Sequence, residues 1–515
     1  MQKLVKTLHT GRKIFQSGSF DFKGNVTRRY AERRTNVGNF CEWSKRGIFI
    51  LPAKYLFTTF ALYFQKQPME NKSVPLSLGT ENIGKLLMQY AMPAIIAMTA
   101  SSLYNITDSI FIGHGVGHLA LSGLAITFPL MNLGAAFGSL IGVGASTLLS
   151  IRMGQKDYET ANNILGNVLV LNIFTGIGFS IATIPFLKPI LLFFGASHDL
   201  LPYAYDFMLI ILAGNFVTHS YLGLNAIIRS AGEPRKAMMA TIYTVVINLV
   251  LNPLFIFGFH WGIRGSAFAT VISQVVVLSW QIWSFSDKTR FIHWKRGIYH
   301  LKKKIVTDSF SIGMAPFLMN AAGCLIVILI NQQLIRHGSD LAVGAYGIVN
   351  RVAFLFVMIV SGLNQGMQPI AGYNYGAKLY PRVLSVLKKS ILYATAIMVV
   401  GFSIVELFPN AVASIFTNKK ELIEIAAPGL RWIFSVYPFI GFQMVSSAFF
   451  QSIGKPMKSI ILSTTRQLLF LIPILLILPN RWGVTGVWAS MTFSDALSVI
   501  VAGILLGTEL KKFSK

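Results

Sequence analysis

Acidic residues are scarce in this sequence: 19 Asp and Glu among 515 residues, against 45 Lys and Arg. Charged residues of both signs make up 12% of the chain and hydrophobic ones 53%, where soluble domains hold about 25% charge. Cysteine is nearly missing. Cys41 sits in a basic leader and Cys324 in an apolar run, so there is no disulfide framework to read. There is also no phosphate-cradling glycine loop, no paired metal-ligand spacing and no Ser/His/Asp set. These absences argue against a nucleotide-driven pump, a metal centre and an enzyme. The net charge of +26 does not point to nucleic acid, because the basic residues lie in short loops between apolar runs.

What the chain has instead is length of apolar sequence. Runs near 86–112, 119–150, 162–185, 201–230, 236–257, 264–285, 308–335, 341–372, 384–407, 422–452, 458–478 and 484–507 are each of bilayer-spanning length. Lys and Arg gather in alternate loops, most densely in 286–307. The positive-inside rule then places both termini in the cytoplasm of an inner-membrane, multi-pass protein. Residues 1–68 differ from the rest, with thirteen Lys/Arg, three Asp/Glu and one short apolar run broken by Pro52 and Lys54. They read as an extension ahead of a start at Met69 or a disordered leader, with a basic interfacial segment as the other reading.

The spans fall into two copies, 69–297 and 298–515. Gly154-Gln-Lys156 matches Gly376-Ala-Lys378, Gly232-Glu-Pro234 matches Gly454-Lys-Pro456, and Trp261-Gly262 matches Trp482-Gly483. Pro93 matches Pro316, and His114-Gly115 matches His337-Gly338. Six spans per copy give both copies the same orientation. The expected fold is therefore an all-α membrane protein of two six-helix bundles related by a pseudo-twofold axis along the membrane normal. Substrate should bind between them near the midplane. Small-residue spacings such as Gly134-x-x-x-Gly138 read as helix packing. Histidines 114, 118, 260 and 337 fall at helix ends.

The stretch from Met92 to Gly115 contains one carboxylate, Asp108. A charged side chain at the centre of a span costs about 2.5–3.5 kcal/mol on insertion scales, so a retained one is a functional candidate. The repeat sharpens this, since Asp108 maps to Asn331, which carries no charge. Asp495, Arg351 and Arg466 are the other costly residues at depth. Pairing or snorkelling is expected of the two arginines, and Asp495 is a secondary candidate for coupling or substrate attraction. Tyr104, Phe128, Met131, Asn320, Asn350 and Gln368 are candidates for the cavity wall.

The twelve spans, the repeat, Tyr104-Asn-Ile-Thr-Asp108 and Gly262-Ile-x-Gly265-x-Ala267-x-Ala269-Thr270 together resemble the MATE (multidrug and toxic compound extrusion) transporters, nearest the MepA-like branch, over about residues 78–510. The resemblance implies export of organic cations and other amphiphilic compounds in exchange for H⁺ or Na⁺, with no other cofactor. It implies an ion site at Asp108, Asn248, Asn252 and Thr270, with Na⁺ as one occupant of Asp108, and a bend of the first helix at Pro93. Asn248 and Asn252 lie on one helix face and can both point at Asp108. The repeat places Phe470, Ile474 and Met491 opposite Asn248, Asn252 and Thr270, so this polar group exists only in the first half. Asn252 departs from the family, which usually has a second aspartate there. The partners implied are small amphiphilic molecules and the bilayer, with the chain working as a monomer. A lipid-linked saccharide flippase of the same wider superfamily is the alternative. It would want several cationic residues in the cavity, and the embedded arginines here are few.

Overall fold

The computed structural model describes residues 74–513, so the leader 1–68 and Met69 lie outside the described residues. Among the described residues, ten helices are long and apolar enough to cross a bilayer, and two bent pairs bring the number to twelve. The first half contains α1 (Ile83–Gly115), α2 (His118–Gly154), α3 (Tyr158–Thr183), α4 (Leu201–Ala213 and Asn215–Ser230), α5 (Pro234–Pro253) and α6 (Gly262–Ser284). The second contains α7 (Lys303–His337), α8 (Asp340–Gly376), α9 (Tyr380–Leu407), α10 (Lys420–Phe434 and Tyr437–Ser452), α11 (Pro456–Thr464, continuing to Ile477) and α12 (Pro479–Phe513).

The repeated motifs are helix punctuation. Gly232 (φ 99°) and Gly454 (φ 69°) follow the ends of α4 and α10 in the left-handed region, and Pro234 and Pro456 open α5 and α11. Glycine after a helix and proline in its first turn is the arrangement their backbones favour. Lys156 and Lys378 sit at equivalent turns with φ of 61° and 59°, a conformation that costs a non-glycine residue about 1–2 kcal/mol.

Two of the expected spans, 201–230 and 422–452, are each broken into two helices. α4 bends by 56° at Gly214 and α10 by 53° at Ser435–Val436. Pro438, in the first turn of the second part of α10, has no N–H to continue the ladder. At Gly214 the Val271 side chain packs so closely that a Cβ would lie 2.7 Å from it. The third span also runs past 185, through a tight turn at Ile184–Phe186 into a short helix, Leu187–Phe193.

The two halves meet backbone to backbone. A Cβ on Gly144 would lie 1.9 Å from the Ser309 carbonyl, and one on Gly313 would lie 1.7 Å from that of Leu140. α2 therefore crosses α7 at a contact only glycine permits. The equivalent crossing of α8 on α1 puts Gly366 against Ala91 and Gly362 against Ile95. Gly154 and Gly376 close α2 on α8 in the same way. All these contacts lie on the half of the helices nearer the basic loops. Arg382 and Asn374 add hydrogen bonds to the Leu78 carbonyl at that end. The loop after α6 is strapped beneath α3. Asn162 bonds Phe291 and His293, and Asn167 bonds Ile298, His300 and Lys302.

Candidate ion site and central cavity

Three helices of the first half contribute polar side chains one turn apart, and these form two layers. In the first, Asp108 of α1 is 7% exposed, and its Oδ1 accepts from the Ser266 hydroxyl of α6 at 2.6 Å and from the Asn252 amide of α5. In the second, the Tyr104 hydroxyl lies 2.8 Å from the Thr270 hydroxyl, and Asn248 donates to Thr270 at 3.2 Å and weakly to Tyr104 at 3.5 Å. The spacing follows from helix geometry. Tyr104/Asp108, Asn248/Asn252 and Ser266/Thr270 are each four residues apart, so each helix presents one residue to each layer.

This arrangement corrects part of the sequence expectation. Asn252 reaches Asp108, but Asn248 and Thr270 do not, because they sit a turn away and bond Tyr104 instead. Tyr104 is therefore a member of the polar cluster, half-buried, and is not among the residues lining the cavity. Ser266, which contacts the carboxylate directly, was missed. The signal was available, since Ser266 precedes Thr270 by one turn and faces Val487 in the repeat, so it shares the asymmetry of the cluster.

Two further features mark the site. The Asn252 Oδ1 is buried beside the carboxylate with no hydrogen-bond partner among the described residues. A buried acceptor left without a donor costs about 1–3 kcal/mol. Directly after Pro253, the chain forms a π-helical turn, Leu254–Gly258. Such turns are frequent at functional sites. Pro93 lies buried inside α1, which stays helical through it.

A cavity of about 1450 Å³ lies between the halves. Phe128, Asn320, Asn350 and Gln368 line it as expected, whereas Met131 does not and packs instead beside the outer core of the first half. Gln368 also ties α8 to α2, donating to Thr147 at 2.6 Å and Ser146 at 3.0 Å. Asp108 is not on the wall. On the far side, Asp495 of α12 accepts from Arg466 of α11 at 2.6 and 3.4 Å, and both line the cavity. Arg466 is thus paired, and it too sits in a π-helical stretch, Thr465–Leu471. Arg351 is exposed. Among the described residues no group of three or more His, Cys, Asp or Glu could hold a metal ion.

The profile of the MatE family matches residues 93–254 and 313–477, one match in each half. The multidrug export protein MepA of Staphylococcus haemolyticus (strain JCSC1435) is 26% identical over 423 residues, 82% of this chain and 92% of that protein. MepA of Staphylococcus aureus (strain NCTC 8325 / PS 47) is 26% identical over 445 residues, 86% of this chain and 95% of its own. Among solved structures, an outward-facing multidrug resistance MATE family transporter of the MOP superfamily superposes with a TM-score of 0.81 at 24% identity, covering 87% of this chain and 100% of that one.

Proposed function

Because this chain belongs to the MatE family of membrane transporters, we propose that it exports amphiphilic small molecules in exchange for H⁺ or Na⁺, with Asp108 as the coupling carboxylate. One observation carries the ion-coupled reading: a carboxylate buried off the cavity wall, bonded by Ser266 and Asn252 beside an acceptor, Asn252 Oδ1, that lacks a donor. Such a site is short of one positive charge. A proton on Asp108 supplies it, since the amide of Asn252 can turn over and accept from the carboxylic acid. A Na⁺ ion supplies it too, with the carboxylate, the hydroxyl and the amide oxygen as hard oxygen ligands.

Loading or losing that charge changes which hydrogen bonds α1, α5 and α6 can make. α1 also lines the cavity through Ala94, Ala97, Met98 and Ser101. A rearrangement at Asp108 is therefore passed along one helix to the substrate wall. Pro93, which leaves the carbonyl one turn before it free, is where α1 yields. Both termini and the loop after α6 face the cytoplasm in this scheme. The protein works as a monomer, since each layer of the site is complete within one chain.

The test uses purified full-length protein in proteoliposomes. Export of a fluorescent amphiphile should follow an imposed pH or Na⁺ gradient and collapse with the matching ionophore. Asp108→Asn should abolish it at matched insertion. Gradient-driven export by Asp108→Asn near the wild-type rate would move the ion site elsewhere.

A further inference from the structure

The charge of the cavity wall is unlike that of a cation site. Among the described residues lining it, the ionisable acids and bases are Arg229, Arg466 and Asp495, apart from the phenols of Tyr221, Tyr346 and Tyr437 and the thiol of Cys324. Asp495 is the only carboxylate, and Arg466 engages both of its oxygens. Arg229, at the end of α4 near the basic loops, has no carboxylate partner among the described residues. The nearest acid in sequence, Glu233, is held by Lys236 at 2.8 Å and Arg290 at 3.4 Å. The wall therefore carries a net positive charge. Its remaining polar surface is dominated by carboxamides such as Asn132, Asn225, Asn331, Gln365 and Gln467.

A permanent cation entering this space meets no free negative charge, and burying it unpaired is expensive. Aromatic faces such as Phe128 and Phe354 can serve either sign of substrate through apolar contact. An anionic head finds an unengaged guanidinium, the donor best matched to carboxylate, sulfonate or phosphate oxygens.

We propose that the central cavity takes amphiphilic organic anions in preference to permanent cations, with Arg229 receiving the anionic head and Arg466 cancelling Asp495. This rests on the reading of the cavity as the substrate site. It does not depend on which ion drives transport. Arg466 is then a specificity residue that acts through Asp495.

Equilibrium binding of radiolabelled taurocholate and tetraphenylphosphonium to the purified full chain, by scintillation proximity in a neutral detergent, tests this. No ion gradient is present, so a failure of the coupling scheme leaves the result untouched. Wild-type protein should bind taurocholate more tightly. Arg229→Gln should lose about tenfold in taurocholate affinity, equivalent to about 1.4 kcal/mol, and Arg229→Lys should retain most of it. Arg466→Gln frees Asp495 and should bring tetraphenylphosphonium affinity level with taurocholate or above it. If that variant does not fold, Arg466→Gln/Asp495→Asn keeps the net charge of the wall and should keep the taurocholate preference. The proposal is overturned by wild-type protein that binds tetraphenylphosphonium at least as tightly, or that binds neither probe. An Arg466→Gln variant with an unchanged affinity ratio, or a double variant that prefers the cation, overturns it as well.

Discussion

Ser266 and Asn252 donate to the same oxygen of Asp108, from different helices. A hydrogen bond to a charged group contributes about 1.5–3 kcal/mol, and about 1.4 kcal/mol is tenfold in affinity. Ser266→Ala should therefore shift the ion concentration for half-maximal export by about tenfold or more, read from transport against graded pH or Na⁺. Asn331→Ala, at the position equivalent to Asp108, removes a residue of the cavity wall outside this cluster. It should leave the ion dependence nearly unchanged while altering substrate affinity. Equal shifts from both variants would show that the ion does not sit in the first half alone. Asp108 itself could be found from the sequence because a charge in an apolar run is conspicuous. Ser266 could not be found so readily, because a serine in a membrane helix ordinarily satisfies itself on its own backbone, and only the facing of α6 on α1 gives it a carboxylate partner.

Helix pairing in this molecule is decided by backbone approach. α7 offers an internal comparison. Gly313 abuts the Leu140 carbonyl of α2, and Gly323, farther along, faces open space at the cavity wall. Gly313→Ala should destabilise the protein by about 1–3 kcal/mol through overpacking, seen as a lower midpoint in thermal unfolding of the detergent-solubilised protein. Gly323→Ala should be neutral or stabilise by up to about 1 kcal/mol, the helix propensity gain of alanine over glycine. The same midpoint for both variants would contradict the packing shown here. The bends in α4 and α10 belong to this scale as well. Gly214 and Val436 occupy equivalent positions 222 residues apart, so the break is a property of the repeat, imposed by glycine in one copy and by Pro438 in the other.

At the scale of the molecule, the basic loops and the tight inter-half contacts lie at the same end, and the ordered loop after α6 crosses beneath the first half there. If that end is cytoplasmic, a cysteine introduced as Lys302→Cys should resist membrane-impermeant maleimide on intact cells and react after permeabilisation. Labelling of intact cells would invert the orientation and with it the direction of transport. Two pseudo-symmetric bundles with a one-sided polar cluster also separate features in space, with the buried Asp108 cluster inside one bundle and the cavity wall shared by both.

Hydrophobic length, loop charge and the internal repeat determined by themselves that this chain spans a membrane with two bundles of six helices, because bilayer thickness and helix rise leave few other solutions. Asp108, the carboxylate of the proposed ion site, was visible for the same reason, since an apolar background exposes it. Its partners were decided by tertiary structure. Whether Asn248 or Asn252 reaches Asp108, and whether Thr270 or Ser266 does, depends on the relative height and rotation of three helices, and side-chain period alone does not specify those. The pairing of Arg466 with Asp495 depended on tertiary contact in the same way. The sequence shows two costly charges on different helices, and only their meeting across the wall of the cavity removes the negative charge from it.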